Sequence, residues 1–176
     1  MFDKGYKFNL IDKKSVVNSD LLTTYYYNFR GKRRYIVLVE EYINKVFVVK
    51  FYPRAYHDSP NKYNVLVKDY DAARVIKTSI DIMLFLFENN PHASFGFIAA
   101  NSITETQEEN KYYNKRFQIY SQLMADFFSS EIFAHISSEV NSAYLLVNRC
   151  HADIDTFTDS VLKMFIRNYP DLETEH

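Results

Sequence analysis

Glycine, cysteine and tryptophan are scarce or absent in this 176-residue chain, which has three Gly, one Cys and no Trp. The single cysteine, Cys150, excludes an intramolecular disulfide and a cysteine-based zinc site. Three glycines leave little room for a phosphate-cradling loop, and the P-loop, Rossmann and Gly-x-Ser-x-Gly motifs are all missing. With only four prolines as well, we expect long regular elements joined by few tight glycine turns.

Long apolar runs and an excess of one charge are also missing. The longest apolar run has about six residues, far short of the roughly twenty that a membrane span requires. The N-terminus lacks the apolar core of a signal peptide, so we expect a soluble, cytoplasmic protein that does not engage a membrane. The 21 basic and 22 acidic side chains balance to a formal charge of −1, which provides no global attraction to nucleic acid.

Hydrophobic side chains make up 47% of the chain, enough for the core of a single domain spanning residues 1–176. The 15 Tyr and 15 Phe exceed what one core is expected to hold. The surplus predicts a tyrosine-rich surface that binds a protein partner or a second copy of the chain, forming a homodimer. The abundance of Lys, Asn, Ile, Tyr and Phe suits an AT-rich genome.

A helix, a buried strand and a second helix are predicted in the middle of the chain, over residues 71–90, 94–100 and 114–128. Asp71 is placed to cap the first helix, because a short acidic side chain accepts hydrogen bonds from first-turn amides. The run Ile82–Phe87 is apolar all round, so we expect it to be covered on more than one side. Pro91 ends the helix, and the nearly all-apolar run that follows is typical of a strand buried on both faces.

Five strands are predicted before this unit, over residues 6–11, 21–29, 34–42, 46–52 and 63–68. The alternative for residues 63–68 is a lead-in to the first helix. Gly31 lies between the second and third strands, where we expect it to supply the positive φ of a tight hairpin turn. Two further strands and a last helix, capped by Asp153 or Asp155, follow the second long helix. These two strands are predicted over residues 132–136 and 143–148.

The order of these elements is β5-α-β-α-β2-α. Strands first and helices later predict an α+β fold. We expect an N-terminal antiparallel β-meander that forms a curved sheet. About three helices are expected to pack on one face of that sheet.

Four local motifs accompany this order: Asn90-Pro91, Phe95-Gly-Phe-Ile98, Lys115-Arg-Phe-Gln-Ile-Tyr120 and Tyr144–Arg149. With them the chain resembles an uncharacterised family of small α+β proteins common in Bacteroidetes, a domain of unknown function. The family's glycine-rich turn before the second helix is replaced here by Asn101-Ser102 and an insertion. The resemblance implies the fold and brings no established activity.

The start of the second long helix is the first candidate site for nucleic acid or another anion. Its residues are Tyr112, Lys115, Arg116 and Tyr120. A helix N-terminus carries partial positive charge and free amides that suit phosphate, and tyrosines there can stack on bases. The alternative is that Tyr120 belongs to the core and that Arg116 is an ordinary solvated helix residue.

Four basic residues around the first hairpin turn form the second candidate: Arg30, Lys32, Arg33 and Arg34. With the tyrosines of residues 25–27 nearby, a basic hairpin can track a phosphate backbone. Lysine and arginine also guard strand ends against edge-to-edge pairing. A purely structural role is therefore the alternative.

The five histidines provide no recognisable metal site, and we predict neither a metal nor a cofactor. None is spaced i, i+4 as in a zincin helix. His57 and Asp58 form a candidate acid–base pair, and His151 precedes two aspartates that are better explained as helix caps. Cys150 beside His151 resembles a nucleophile with its base, but adjacency in sequence is not the spatial arrangement that such chemistry requires.

These observations favour a non-enzymatic binding or regulatory module of bacterial or phage origin, with a protein or a nucleic acid as its partner. A role on mobile elements or in phage–host conflict is the context we expect. One alternative is a small nuclease or nucleotide-processing enzyme that uses Arg116, Tyr120 and either His57 or His92 in one cleft. A purely structural oligomer is the other. Placement of both basic groups on one face would favour nucleic acid.

Overall fold

The computed structural model describes residues 4–16, 20–63, 71–98 and 115–169, leaving aside the side chains of Ile98, Lys115 and Arg116. Within these ranges the chain forms seven strands and three α-helices. The strands are β1 (Phe8–Ser15), β2 (Leu21–Arg30), β3 (Arg34–Tyr42), β4 (Val46–Pro53), β5 (Ser94–Ile98), β6 (Phe133–Ser138) and β7 (Ala143–Asn148). The helices are α1 (Ala72–Asn89), α2 (Lys115–Phe127) and α3 (Ile154–Asn168). None of these helices is long and apolar enough to cross a membrane.

The seven strands form one sheet in the order β1-β2-β3-β4-β5-β7-β6. β1 to β4 are an antiparallel meander. β5 pairs parallel to β4, because the connection through α1 returns the chain to the end where β4 began. β7 and β6 complete the other edge in antiparallel pairing. The predicted α+β fold, with an N-terminal meander and helices packed on the sheet, is confirmed.

The bounds of β3 and β7 agree with the prediction, whereas β1 differs most. We predicted this strand over residues 6–11, and it occupies Phe8–Ser15. Its second half is polar yet pairs fully with β2, since an exposed edge strand needs no apolar alternation and is commonly charged. The fifth predicted strand, 63–68, starts at Tyr63, which lies in a turn; its remaining residues are outside the described ranges.

The helices lie on both faces of the sheet. Along β4, Phe47 and Val49 belong to the core beneath α1 and α2, whereas Val46 and Val48 belong to a second core beneath α3. Side chains alternate between the two faces of a strand, and both rows of β4 are apolar, so each face requires a cover. The expectation that all helices pack on one face is therefore wrong, because it used the order of elements and not the two apolar rows of β4.

The first core, beneath α1 and α2, holds most of the buried aromatic rings. From α1, Ile80 and Met83 are buried within it, and each such side chain stabilises the fold by about 1.5–3 kcal/mol. In the run Ile82–Phe87 only Phe85 is substantially exposed, at 45%. Even this ring packs edge-to-face on Phe8 of β1. The prediction that this run is covered on more than one side is confirmed.

The two predicted acidic helix caps differ in the structure. The Asp153 carboxylate accepts hydrogen bonds from the backbone N–H of Thr156 at 3.0 Å and from its hydroxyl at 2.7 Å. These bonds cap α3 and lower the pKa of Asp153. Asp71 precedes α1 but its side chain makes no capping bond. It accepts a hydrogen bond from the Tyr6 hydroxyl instead, so the predicted cap is wrong because a tertiary contact occupies the carboxylate.

The last turn of α3 is fixed by polar contacts to the meander. Arg167 and Asn168 donate hydrogen bonds to the carboxylate of Asp20, at N···O distances between 3.0 and 3.3 Å. These bonds lower the pKa of Asp20, and those from Arg167 make the largest contribution. The Tyr169 hydroxyl donates a hydrogen bond of 2.8 Å to Glu40 of β3. These contacts close the second core at its α3 end.

Candidate anion-binding site

A cavity of about 510 Å³ lies at one end of the meander. β1 and β3 begin at this end and β2 and β4 finish there, because neighbouring antiparallel strands run in opposite directions. The described residues that line it are Tyr6, Lys7, Asn9, Asn28, Phe29, Arg30, Arg34, Tyr35 and Arg54. The topology thus brings together residues from four separate parts of the sequence.

Four of the lining residues are cations: Lys7, Arg30, Arg34 and Arg54, which we call the cationic cluster. All four are exposed. Arg30 and Arg34 are direct partners in the β2–β3 register, so their side chains leave the same face of the sheet. None of the four forms an ion pair with a carboxylate in the ranges described. Like charges directly opposite each other are unfavourable, and a bound anion would relieve this repulsion.

Three aromatic residues that line the cavity, Tyr6, Phe29 and Tyr35, form a stack that we call the aromatic wall. Their rings lie on the α1 side of the sheet, opposite to the face from which Arg30 and Arg34 emerge, because neighbouring residues of a strand point to opposite faces. The Tyr6 and Phe29 ring centroids are 5.7 Å apart and those of Phe29 and Tyr35 are 5.0 Å apart, with nearly parallel planes. Phe29 and Tyr35 belong to the first core. The hydroxyl of Tyr6 donates to Asp71, and the guanidinium of Arg74 lies 4.0 Å from the Tyr6 ring centroid. Burial, followed by the hydrogen bond to Asp71, raises the pKa of Tyr6.

The N-terminal segment holds this wall against α1. The backbone N–H of Gly5 donates to the carboxylate of Asp81 at 3.0 Å, and that of Tyr6 donates to the hydroxyl of Thr78 at 2.9 Å. Asp81 also pairs with Lys77, which is buried. The chain therefore enters β1 from a fixed position, and Tyr6 cannot swing away from the cavity without breaking these contacts.

Gly31 is required here by close packing and not by its backbone conformation. No glycine of the described chain has a positive φ, so the predicted role of Gly31 in the turn is wrong. A Cβ at this position would lie 2.7 Å from Cε2 of Tyr6 and 3.0 Å from the Asp71 carboxylate. Positive φ values occur instead in the next hairpin, at Asn44 and Lys45 with φ of 63° and 57°, and at Ser142 with φ of 47°.

Two carboxamides lie beside the cations. Asn9 and Asn28 are direct partners in the β1–β2 register, and Asn28 shares its face with Arg30, because residues two apart on a strand point the same way. Neither carboxamide forms a side-chain hydrogen bond with another described residue. Each therefore has donors and an acceptor to offer a ligand in the cavity.

The hairpin residues predicted from the sequence divide into two pairs. Arg30 and Arg34 line the cavity. Lys32 and Arg33 are exposed at the tip of the hairpin and are not part of the cavity lining. Both have interactions of their own. The tyrosines of residues 25–27 lie farther along β2, towards its middle.

The residues predicted at the start of the second helix have a different outcome. Tyr112 lies outside the described residues, and Lys115 and Arg116 begin α2 with side chains that are not described. Tyr120 is 4% exposed, and its ring stacks on Phe97 with the centroids 3.9 Å apart. Tyr120 therefore belongs to the core, as the alternative interpretation of the sequence predicted. Helical spacing places it with Phe117 on the stripe of α2 that faces the core.

Lys7, Asn9, Asn28 and Arg54 were missed by reasoning from the sequence. One signal could have found them: the residues flanking consecutive antiparallel strands alternate between the two ends of a meander. Placing the start of β1 and the end of β4 beside the β2–β3 turn would have added Lys7 and Arg54. Between Asp20 and Glu40 the chain also has four basic and no acidic residues, which marks this end as cationic.

None of the described histidines lines the cavity. The Nδ1 atom of His57 lies 2.7 Å from the hydroxyl of Tyr52. His151 stacks on Phe157 with the ring centroids 3.6 Å apart. Burial, followed by the charge of His92, lowers the pKa of His151. Among the described residues, no three His, Cys, Asp or Glu side chains are grouped closely enough to hold a metal ion.

Comparisons with known proteins add no relative. No protein-family model matches the chain, and neither a curated protein nor a solved structure shows significant similarity to it. The candidate site is therefore argued from its own geometry.

Proposed function

We propose that this protein is a non-enzymatic binding module that holds the phosphate groups of a nucleic acid at the cationic cluster. The observation that supports it most is the direct opposition of Arg30 and Arg34 at a cavity where neither has a carboxylate partner in the described chain. Opposite charges across from each other stabilise a sheet, whereas like charges directly opposite destabilise it. A like-charged pair at a concave site is a cost to stability that a bound anion would offset.

The chemistry of the cluster suits phosphate. Arginine presents a planar fork of N–H donors that matches phosphate oxygens in a bidentate arrangement. Arg30, Arg34 and Arg54 supply three such forks, and Lys7 adds a point charge. A concave site lined by charges of one sign also concentrates the electric field and accelerates the arrival of anionic ligands. This local charge explains how a chain of net charge −1 could bind nucleic acid.

A small nuclease or nucleotide-processing enzyme is the alternative. That reaction needs an acid–base group within hydrogen-bond reach of the bound phosphate. The described lining of the cavity includes neither a histidine nor a carboxylate, and Tyr120 belongs to the first core. The geometry therefore supports binding better than turnover. We further propose that the module is of bacterial or phage origin, in line with the resemblance to a family common in Bacteroidetes, and that it acts in the cytoplasm.

Self-association is a second candidate, and one observation favours it. β1 is an edge strand on which Leu10 and Ile11 are 52% and 51% exposed. Exposed apolar side chains beside unpaired strand amides favour pairing with another strand. Light scattering after size-exclusion chromatography tests this directly: a dimer that dissociates in Leu10→Lys/Ile11→Lys supports it, and a monomeric wild-type protein contradicts it.

The binding proposal is tested by fluorescence anisotropy with a short, labelled single-stranded DNA oligonucleotide. Wild-type affinity should fall steeply between about 50 and 200 mM salt, because bound cations release counterions from the phosphates. Arg30→Gln/Arg34→Gln should lower the affinity by at least about tenfold and reduce the magnitude of the salt slope by about 1.4, since each phosphate contact to a single strand contributes about 0.7.

The matched control is Lys14→Gln/Lys163→Gln, which removes the same charge elsewhere. Lys14 lies at the other end of β1 and Lys163 is exposed on α3. This control should retain nearly wild-type affinity. Equal losses in the two double variants would show that only net charge matters, and the cationic cluster would then not be the binding site.

A further inference from the structure

The charge gathered at the cavity exceeds what one internal phosphate requires. An internal phosphodiester carries one negative charge, whereas a phosphate monoester carries about −1.5 to −2 at neutral pH and has three strong acceptor oxygens. Arg30 and Arg34 emerge side by side, and Lys7 and Arg54 face the same opening. Four cations without a described carboxylate partner match a monoester better than a diester.

The aromatic wall lies on the other face of the strand ends that carry the arginines. Tyr6 is stacked on Phe29, hydrogen-bonded to Asp71 and covered by Arg74. Gly31 lies so close to the Tyr6 ring that even a Cβ would not fit without movement. These contacts hold in place the strand ends from which Arg30 and Arg34 emerge.

The carboxamides of Asn9 and Asn28 provide a neutral polar surface next to the cations. A carboxamide donates and accepts hydrogen bonds, which suits a sugar hydroxyl or the edge of a base and not a second phosphate. The cavity of about 510 Å³ falls within the roughly 300–1,000 Å³ that small-molecule sites occupy. It therefore offers room and partners for the nucleotide attached to the phosphate.

Building on the function proposed above, we propose that the cavity recognises the terminal phosphate monoester of a nucleic-acid strand. Arg30, Arg34 and Arg54 hold its three terminal oxygens, and Asn9 and Asn28 contact the adjoining nucleotide. The same chemistry is present at a 5′-phosphate and at a 3′-phosphate. The two ends differ in which side of the sugar would face the carboxamides, so an experiment distinguishes them.

The test uses three versions of one short single-stranded DNA oligonucleotide, each with the same internal dye: one with a 5′-phosphate, one with a 3′-phosphate and one with hydroxyls at both ends. Each is titrated with the full chain by fluorescence anisotropy. One phosphorylated version should bind at least about tenfold more tightly than the hydroxyl version. Arg30→Gln/Arg34→Gln should abolish this difference, whereas Lys14→Gln/Lys163→Gln should preserve it.

The outcomes separate the two proposals. Equal affinity for all three oligonucleotides, lowered by Arg30→Gln/Arg34→Gln, would overturn recognition of the strand end and leave the proposed function in place. Absence of binding, or binding that the double variant does not weaken, would overturn both. Circular dichroism establishes that each variant is folded. Should the double variant unfold, Arg54→Gln replaces it, because Arg54 lies in an exposed turn after β4.

The carboxamides have a separate readout. Asn28→Ala should weaken binding of the preferred phosphorylated oligonucleotide while leaving the inhibition constant of inorganic phosphate, measured by competition, unchanged. Inorganic phosphate carries no nucleotide, so it should depend on the arginines alone. Equal weakening of both ligands would assign Asn28 a structural role and overturn its contact with the adjoining nucleotide.

Discussion

Replacing Arg34 by Gln should stabilise the protein in the absence of ligand, although it removes a residue of the proposed binding site. Arg34 is the direct cross-strand partner of Arg30. No carboxylate of the described chain pairs with either guanidinium. Glutamine keeps a long polar side chain and removes the charge, so the substitution isolates the repulsion between the two arginines.

The size of the effect follows from the geometry of the pair. Cross-strand pairs change stability by roughly 0.2–1 kcal/mol, and like charges directly opposite are destabilising. Both arginines are exposed, so solvent screens them and we expect about 0.5 kcal/mol. In a domain of this size about 1 kcal/mol shifts Tm by about 2–4 °C. Arg34→Gln should therefore raise Tm by about 1–2 °C at low ionic strength.

Differential scanning calorimetry at about 0.01 M and about 1 M NaCl measures this change, because the Debye length falls from about 30 Å to about 3 Å between them. The increase in Tm should be present at low salt and disappear at high salt. Lys163→Gln removes one charge from α3 and serves as the control. A Tm for Arg34→Gln at or below wild type in low salt would refute the reasoning, and so would an increase that persists in high salt.

Three further substitutions test other parts of the structure. Gly31→Ala should destabilise the fold by about 1–3 kcal/mol in urea unfolding, because its Cβ would lie 2.7 Å from the Tyr6 ring. Asp20→Asn should destabilise the protein at neutral pH and progressively less in acid. Hydrogen bonds, first those from Arg167, hold the pKa of Asp20 below its ordinary value of 3.8, so their stabilisation is present above that value and is lost as pH falls through the folded pKa. Tyr120→Ala should cost about 3–5 kcal/mol and leave oligonucleotide affinity of the folded protein unchanged, because the ring is 4% exposed.

Each of these substitutions has a control or a contrary outcome. In a Tyr6→Ala background, Gly31→Ala should have little effect, because the ring that its Cβ would meet is gone. A difference between wild type and Asp20→Asn that grows as pH falls would contradict the assigned direction of the pKa shift. Loss of oligonucleotide binding in folded Tyr120→Ala would return Tyr120 to the candidate site residues.

The elements that the sequence predicted best are those whose signals are local. The strands at Arg34–Tyr42 and Ala143–Asn148 have the predicted bounds, because β-branched and aromatic residues in short runs depend little on the rest of the chain. The cap predicted at Asp71 depended on a distant partner. Asp71 has the right residue type and position for a cap, but Tyr6 claims its carboxylate. No pattern local to either residue indicates that contact.

The candidate site was predicted in part for the same reason. Arg30 and Arg34 are visible as a basic cluster because one short turn separates them. Lys7 and Arg54 reach the same cavity only through the register of the whole meander, and their sequence neighbourhoods contain nothing unusual. Two sequence signals led to different predictions for Tyr120. Its place near the start of a helix suggested a ligand contact, whereas helical periodicity placed it in the core, and the periodicity was correct.

Close packing explains why glycine occurs at two positions near the candidate site. Two of the three glycines, Gly5 and Gly31, lie on either side of Tyr6 and leave no room for a Cβ. At Gly5 it would lie 2.8 Å from Cα of Thr78, and at Gly31 it would lie 2.7 Å from the Tyr6 ring. Glycine loses more conformational entropy on folding than other residues do. Its use here indicates that the close packing around Tyr6 stabilises the fold by more than this entropy loss costs. The aromatic wall is therefore part of the stable core, whereas the cations of the cationic cluster are exposed and add no favourable pairing. Stability and binding consequently reside in different side chains, which is why removing a single charge should weaken the binding and strengthen the fold.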